Sequence, residues 1–156
     1  MDKLDIKEKE DFLALLGRLA EDPRTLEMKK YIQHGKVTTY DHCLKVAATA
    51  FRYNRRFGLY GNEEEIVRAA FLHDYYLYDW HCHDGHLHGY RHPFVAARNA
   101  RRDFDISDRE KEIIETHMWP LTLTHVPPTK EAWIVSLADK TCSTKETLFM
   151  REFPEL

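Results

Sequence analysis

The dipeptide His73-Asp74 stands at the end of the apolar stretch Ala69-Ala70-Phe71-Leu72. A greasy helix of this kind is drawn into a core. An imidazole beside a carboxylate is costly there unless something compensates the buried polar groups. A metal ion would provide that compensation, and the chain holds the further residues such an ion needs.

His42 lies 31 residues before His73, Asp139 lies 65 residues after Asp74, and His92 and His117 stand between. Each falls at or beside an amphipathic helical segment. Four imidazoles and two carboxylates on separate segments suit a site assembled by a helix bundle rather than by a local knuckle. The order His, His-Asp, distant Asp resembles the fingerprint of the HD-domain superfamily of metal-dependent phosphohydrolases, over roughly residues 31–146. The resemblance implies an all-α fold, a compact helical bundle of about six to seven helices. It also implies His42, His73, Asp74 and Asp139 as metal ligands. His92-Pro93 and Ile114-Glu115-Thr116-His117 resemble the entries of two extra ligands in the binuclear branch.

With 156 residues the chain is expected to form one domain, residues 1–156, with 1–24 as an N-terminal packing helix. The net charge is −3, from 23 basic and 26 acidic residues, which gives no strong electrostatic reason for nucleic acid or a membrane as partner. A small phosphorylated substrate, a nucleotide among the options, is expected instead. The oligomeric state is open, a homodimer being one possibility. Cys43, Cys82 and Cys142 are odd in number and lack a CxxC pair, which fits free thiols in a reducing compartment. No signal segment or membrane-length apolar run is present, so a cytoplasmic location is expected. Ten histidines make the chain rich in imidazole.

Along the chain, Ile6, Phe12, Leu13, Leu15, Leu16 and Leu19 recur at helical spacing through residues 5–21, until Pro23 ends the pattern. A short helix over residues 25–33 leads to His34-Gly35. The next helix begins at Thr38 or Thr39 and runs to about Phe57, with Leu44, Ala47, Phe51 and Tyr40 facing inward and His42 in its first turn. Asn62 with Glu65, and Ser107 with Glu110, read as capping boxes that start the helices carrying His73 and His117. Residues 81–92 hold five histidines and are expected to form a flap over the mouth of the site, with an extra metal site as the alternative. Pro93 at a first helical position places His92 at the N-terminus of a helix over residues 94–103. The last helix starts at Thr129 or Lys130 and ends near Met150, with Trp133, Ile134, Leu137 and Ala138 on its buried side and Asp139 following them.

Where the superfamily often has Ile-Gly after the dyad, this chain has Tyr75 and Tyr76, followed by Tyr78 and Trp80. Tyr76 and its neighbours are candidates to wall a pocket for a ring. Lys36, Arg91 and Lys140 lie beside ligand segments and are candidates to orient a phosphate. Ala138-Asp139-Lys140 resembles the closing motif of the superfamily, which implies that Lys140 reaches a phosphate, and Asp74 is placed to bridge two ions; Asp74 and Lys140 are the catalytic candidates. A mixed nitrogen and oxygen ligand set leaves positions for water, as a catalytic site requires. Four imidazoles favour one or two ions of Fe, Mn, Zn, Co or Ni over Mg. Such ions supply hydroxide near neutral pH for attack on a phosphate ester. Two other readings stay open: a di-iron oxygenase on the same scaffold, and a non-catalytic nucleotide- or metal-binding signalling domain.

Overall fold

The computed structural model describes residues 4–83 and 85–151; the two ends of the expected 1–156 unit and Asp84 lie outside the described residues. Within them the fold is all-α, with eight α-helices and one two-stranded hairpin. Six helices run to nine residues or more: α1 (Ile6–Leu16), α3 (Thr39–Arg56), α4 (Glu63–Leu72), α6 (His88–Phe104), α7 (Asp108–Thr116) and α8 (Lys130–Arg151). The other two, α2 (Pro23–Leu26) and α5 (Trp80–His83), are single turns.

Helix α4 is the centre of the bundle. Ile66, Val67, Ala69, Ala70, Phe71 and Leu72 are all fully buried, because α3, α1, α7, α8 and α6 all pack against it. The small Ala69 and Ala70, with Ala47 and Ala50 on α3, let the helix axes approach closely. Phe71 fills the space beyond them and meets the Tyr40 ring edge to face at 5.5 Å. The sequence pattern therefore carries His73-Asp74 out of the C-terminal end of the most enclosed helix.

Capping chemistry sets where the helices begin. Thr38 accepts from the Asp41 N–H to start α3, and Ser107 and Glu110 form the expected reciprocal box at α7. Asn62 accepts from the N–H groups of Glu64 and Glu65, but its own N–H donates to Glu131 of α8 at 3.1 Å rather than to Glu65. The expected box at α4 is thus half local and half a tertiary tie between α4 and α8.

Four local expectations are corrected. Helix α1 stops at Gly17, whose φ of 55° favours a residue without a Cβ, and Pro23 opens α2 instead of closing α1. Residues 32–34 are a strand, β1 (Ile32–His34), paired with β2 (Val37–Thr38) around Gly35, rather than the tail of a helix. Helix α6 begins at His88, so Pro93 lies inside it and His92 is a mid-helix residue. Stacking of His88 on His92, with ring centroids 4.4 Å apart, holds that added turn helical. On α8 the buried stripe is Ala132, Val135, Ala138, Asp139 and Cys142, together with Ile134; Trp133 and Leu137 are 42% and 57% exposed. The carboxylates and small residues, not the largest apolar ones, face the bundle.

Phe71→Ala would open a cavity under the dyad, and the expected loss is about 3–5 kcal/mol of stability. Urea unfolding followed by circular dichroism checks this; a loss below about 1 kcal/mol would show that α4 is not the packing centre.

Candidate metal centre

Five helices deliver one side chain or one pair each to a single point. His42 comes from the first turn of α3, His73-Asp74 from the end of α4, His92 from α6, His117 from the end of α7, and Asp139 from the middle of α8. All six expected residues are buried, and the structure brings them together. Asp74 Oδ2 lies 3.4 Å from His73 Nε2 and 3.8 Å from His42 Nε2. Its other oxygen, Oδ1, lies 3.1 Å from His92 Nε2 and 3.6 Å from His117 Nε2. Asp139 Oδ1 stands 3.2 Å from His42 Nε2 and 3.6 Å from His73 Nε2.

The backbone fixes which nitrogen of each ring faces inward. His73 and His117 each follow the last turn of a helix, and each donates Nδ1–H to a carbonyl of that turn, Ala70 at 2.6 Å and Ile114 at 2.7 Å. Helix ends leave such carbonyls without partners, so the imidazole caps the helix and sets its own tautomer in one bond. His92 does the same to the His88 carbonyl at 2.9 Å. His42 presents Nδ1 to the Glu146 carboxylate at 2.9 Å. All four Nε2 atoms are left to converge on Asp74 and Asp139.

That convergence fits a cation. His73 Nε2 and Asp74 Oδ1 are buried with no hydrogen-bond partner, although Oδ1 lies close to two imidazoles. His92 Nε2 and His117 Nε2 are 3.0 Å apart, and with both Nδ1 atoms already donating, their lone pairs oppose each other unless a proton or a metal ion lies between. Two groups have ligand atoms all within 4.8 Å of one another: His42, His73 and Asp139, and His73, Asp74 and His117. A third, His34, His42 and Glu146, lies on the far side of His42.

Electrostatics tell the same story. Burial works against every charge in the cluster. Against it, Asp139 and Glu146 raise His42 to about 10, and the neighbouring Asp74 carboxylate lifts His73 well above the usual imidazole value. The imidazoles hold Asp74 and Asp139 well below the carboxylate range. At His117 burial prevails and pushes it down to about 3. Without an ion, protons on His42 and His73 balance two carboxylates.

A cavity of about 760 Å³ opens over the cluster. Its lining includes Asp74, His92, His117, Asp139 and Lys140, with Trp80 and His88 on one side and Met118, Pro120 and Leu121 on another. Lys140 is part-buried, and its ammonium donates to the His117 carbonyl at 2.8 Å and to Ser136 Oγ at 3.1 Å. Lys36 and Arg91 are exposed and lie outside the lining. Lys36 sits in the hairpin turn itself, and Arg91 is rotated about 100° from His92 around α6. Tyr76 is buried behind Asp74 rather than in the cavity wall, its hydroxyl bonded to Gln33 Oε1. Among the described residues, the histidines expected as a flap form no metal group of their own. Trp80, His86 and His88 instead line the cavity.

Sequence reasoning missed Glu146 and Gln33. Glu146 had a legible signal, since it falls seven residues after Asp139 on the same face of α8. Gln33 had none, because only the hairpin brings it to Asp74, which it meets at 2.6 Å.

The raised His42 pKa gives a sign for the pH dependence of the metal-free protein. Its contribution to stability is complete below the ordinary value of 6.5 and is lost as pH rises through about 10. The depressed pKa values of Asp74 and Asp139 contribute stability above 3.8 that is lost on acidification. Chelator-treated protein should therefore melt at progressively lower temperature from pH 6.5 towards 10, whereas metal-loaded protein should hold, because ligation needs the imidazoles unprotonated. Parallel curves for the two forms would contradict this.

HD domains bind divalent metals. A family model described as the HD domain matches residues 39–144, which include all six of the clustered residues. Comparisons with curated proteins and with solved structures return no match. With more than half of its length matched, and with a buried His and Asp cluster gathered at the end of its central helix, the chain belongs to the HD-domain family.

Proposed function

We propose that the chain is a metal-dependent phosphohydrolase acting on a nucleotide or another small phosphate ester. The observation that carries this reading is the convergence of four tautomer-fixed Nε2 atoms on two buried carboxylates that line a cavity of about 760 Å³. HD-domain proteins are mostly metal-dependent hydrolases, which agrees with it. His42, His73, Asp139 and Asp74 Oδ2 would hold one divalent transition metal ion. His92, His117 and Asp74 Oδ1 would hold a second, with Asp74 shared between them. When bound, such ions make a nucleophile available from water near neutral pH and neutralise charge on phosphoryl oxygens.

The protein's own groups bind and orient. Lys140 places a positive charge in the cavity wall and, through the His117 carbonyl, holds that imidazole in place. Burial lowers the pKa of Lys140 from its usual value, so the ammonium is poorly solvated and favours an anionic partner. Trp80, His88, Met118 and Leu121 give the cavity an apolar and aromatic rim that excludes water around the body of a substrate. Lys36 and Arg91 would act on parts of a substrate outside the cavity. The three free cysteines fit a reducing compartment, and we place the protein in the cytoplasm. Among the described residues no helix is long and apolar enough to cross a membrane.

Asp74→Ala should remove bound metal and lower phosphate-ester hydrolysis by more than about a hundredfold, measured by elemental analysis beside a phosphate-release screen. A metal-free variant that hydrolyses at the parent's rate would sink the proposal. Oxygen uptake without phosphate release would favour the di-iron oxygenase reading instead. Lys140→Met should raise KM about tenfold to a hundredfold, the worth of a charged hydrogen bond, while leaving metal content near the parent's. An unchanged KM would take Lys140 out of substrate binding.

A further inference from the structure

The cluster has a neighbour outside the 39–144 family match that the six-residue pattern does not include. In the hairpin, Ile32 pairs with Thr38 and His34 with Val37, which leaves Gln33 as the unpaired, bulged residue. A bulge re-aims its side chain, and here it aims inward: Gln33 is 7% exposed, while the preceding Ile32 is 39% exposed.

Every polar group that Gln33 offers on this side is held. Its backbone carbonyl accepts from the Trp80 indole N–H at 3.3 Å. Its Oε1 accepts from the Tyr76 hydroxyl and from the Thr39 hydroxyl, the latter at 3.3 Å. Its Nε2 donates to Asp74 Oδ2 at 2.6 Å. The amide has only one workable orientation, since turning it over would set Oε1 against an ionised carboxylate oxygen. The Tyr76 hydroxyl is buried and donates to Gln33 Oε1.

Asp74 needs such a restraint. The terminal torsion of an aspartate is broad and twofold, so the side chain does not by itself fix the plane of its carboxylate. Yet the plane decides whether Oδ2 faces His42 and His73 while Oδ1 faces His92 and His117. A rotation would take an oxygen away from one pair. Gln33 is a strong neutral donor to Oδ2, and it leaves Oδ1 free.

We propose that Gln33 is a positioning residue that holds the Asp74 carboxylate astride the two histidine pairs, one oxygen to each, with Tyr76 and Thr39 fixing its amide. The proposal rests on the reading of the cluster as a binuclear metal centre. The hairpin thereby has a task in the fold: it carries a clamp onto the shared ligand.

The test uses the full chain, stripped of metal and titrated with Mn²⁺ by calorimetry. The parent is expected to bind in two steps. Gln33→Leu should weaken one step by about tenfold or more and leave the other in place, and Tyr76→Phe should weaken the same step by less. A second measurement needs no metal and no risk of misfolding: in the parent, the Gln33 side-chain amide proton facing Asp74 should resonate well downfield of ordinary glutamine amides. Tyr76→Phe should move it back. An unchanged isotherm for Gln33→Leu, an equal weakening of both steps, or an ordinary amide resonance in the parent would each overturn the proposal. A parent that binds no Mn²⁺ but shows the downfield amide would overturn the metal reading while supporting the restraint on Asp74.

Discussion

Asp74 is 2% exposed and lies within 3.8 Å of the inward nitrogens of four histidines, which come from four different helices. Removing a carboxylate from water costs several kcal/mol unless positive charge and hydrogen bonds replace its hydration. The burial of Asp74 is therefore tolerable only when α3, α4, α6 and α7 all stand in their places. The apolar core supplies the cohesion that brings them there. The carboxylate penalises arrangements in which one of them is displaced.

The helix ends do more than terminate helices. At α4 and α7 the chain turns out of the helix at a histidine whose Nδ1–H donates to a carbonyl of the last turn. One bond caps the helix, fixes the tautomer and aims Nε2 at the cluster. Because the cap is local, the aim of each ring is set before any ion arrives, and little reorganisation is needed on binding. At His117 the residue's own carbonyl is also held, by Lys140 and Ser136 from α8. The site is consequently as rigid as the helix junctions that build it.

How much of this was legible depends on whether the governing contact is near in sequence. The helix carrying the dyad could be read because its caps, small residues and apolar run lie together. The six clustered residues could be read because their types and order form a pattern. The orientation of α8 could not: Trp133 and Leu137 are more apolar than Ala132 and Ala138, yet it is the alanines that are buried, and which face turns inward is decided by the neighbours α3, α4 and α7. The start of α6 was hidden for a related reason, since Pro93 marks a helix start in isolation and only ring stacking among Trp80, His88 and His92 overrides it. Lys36 and Arg91 are beside ligands in sequence but point elsewhere, because adjacency along a helix or turn is not adjacency of side chains. Gln33 is the converse case, distant in sequence from Asp74 and in contact with it.

The cavity divides into a floor and a rim with different physical origins. The floor is made of Asp74, His92, His117 and Asp139, at the end of α4, on α6, at the end of α7 and on α8, each constrained by the packing of a helix as well as by its place in the cluster. The rim is made mainly of Trp80, His86, His88, Met118, Pro120 and Leu121, most of them from the short segments that join α4 to α6 and α7 to α8. A substitution on the floor alters charge balance and helix packing together, whereas one at Met118 or Leu121 on the rim alters the shape of the cavity mouth. The buried cluster and the outer lining of the cavity thus come from largely different parts of the molecule. Family membership, which follows the helices, accordingly speaks to the first and leaves the second to the connecting segments.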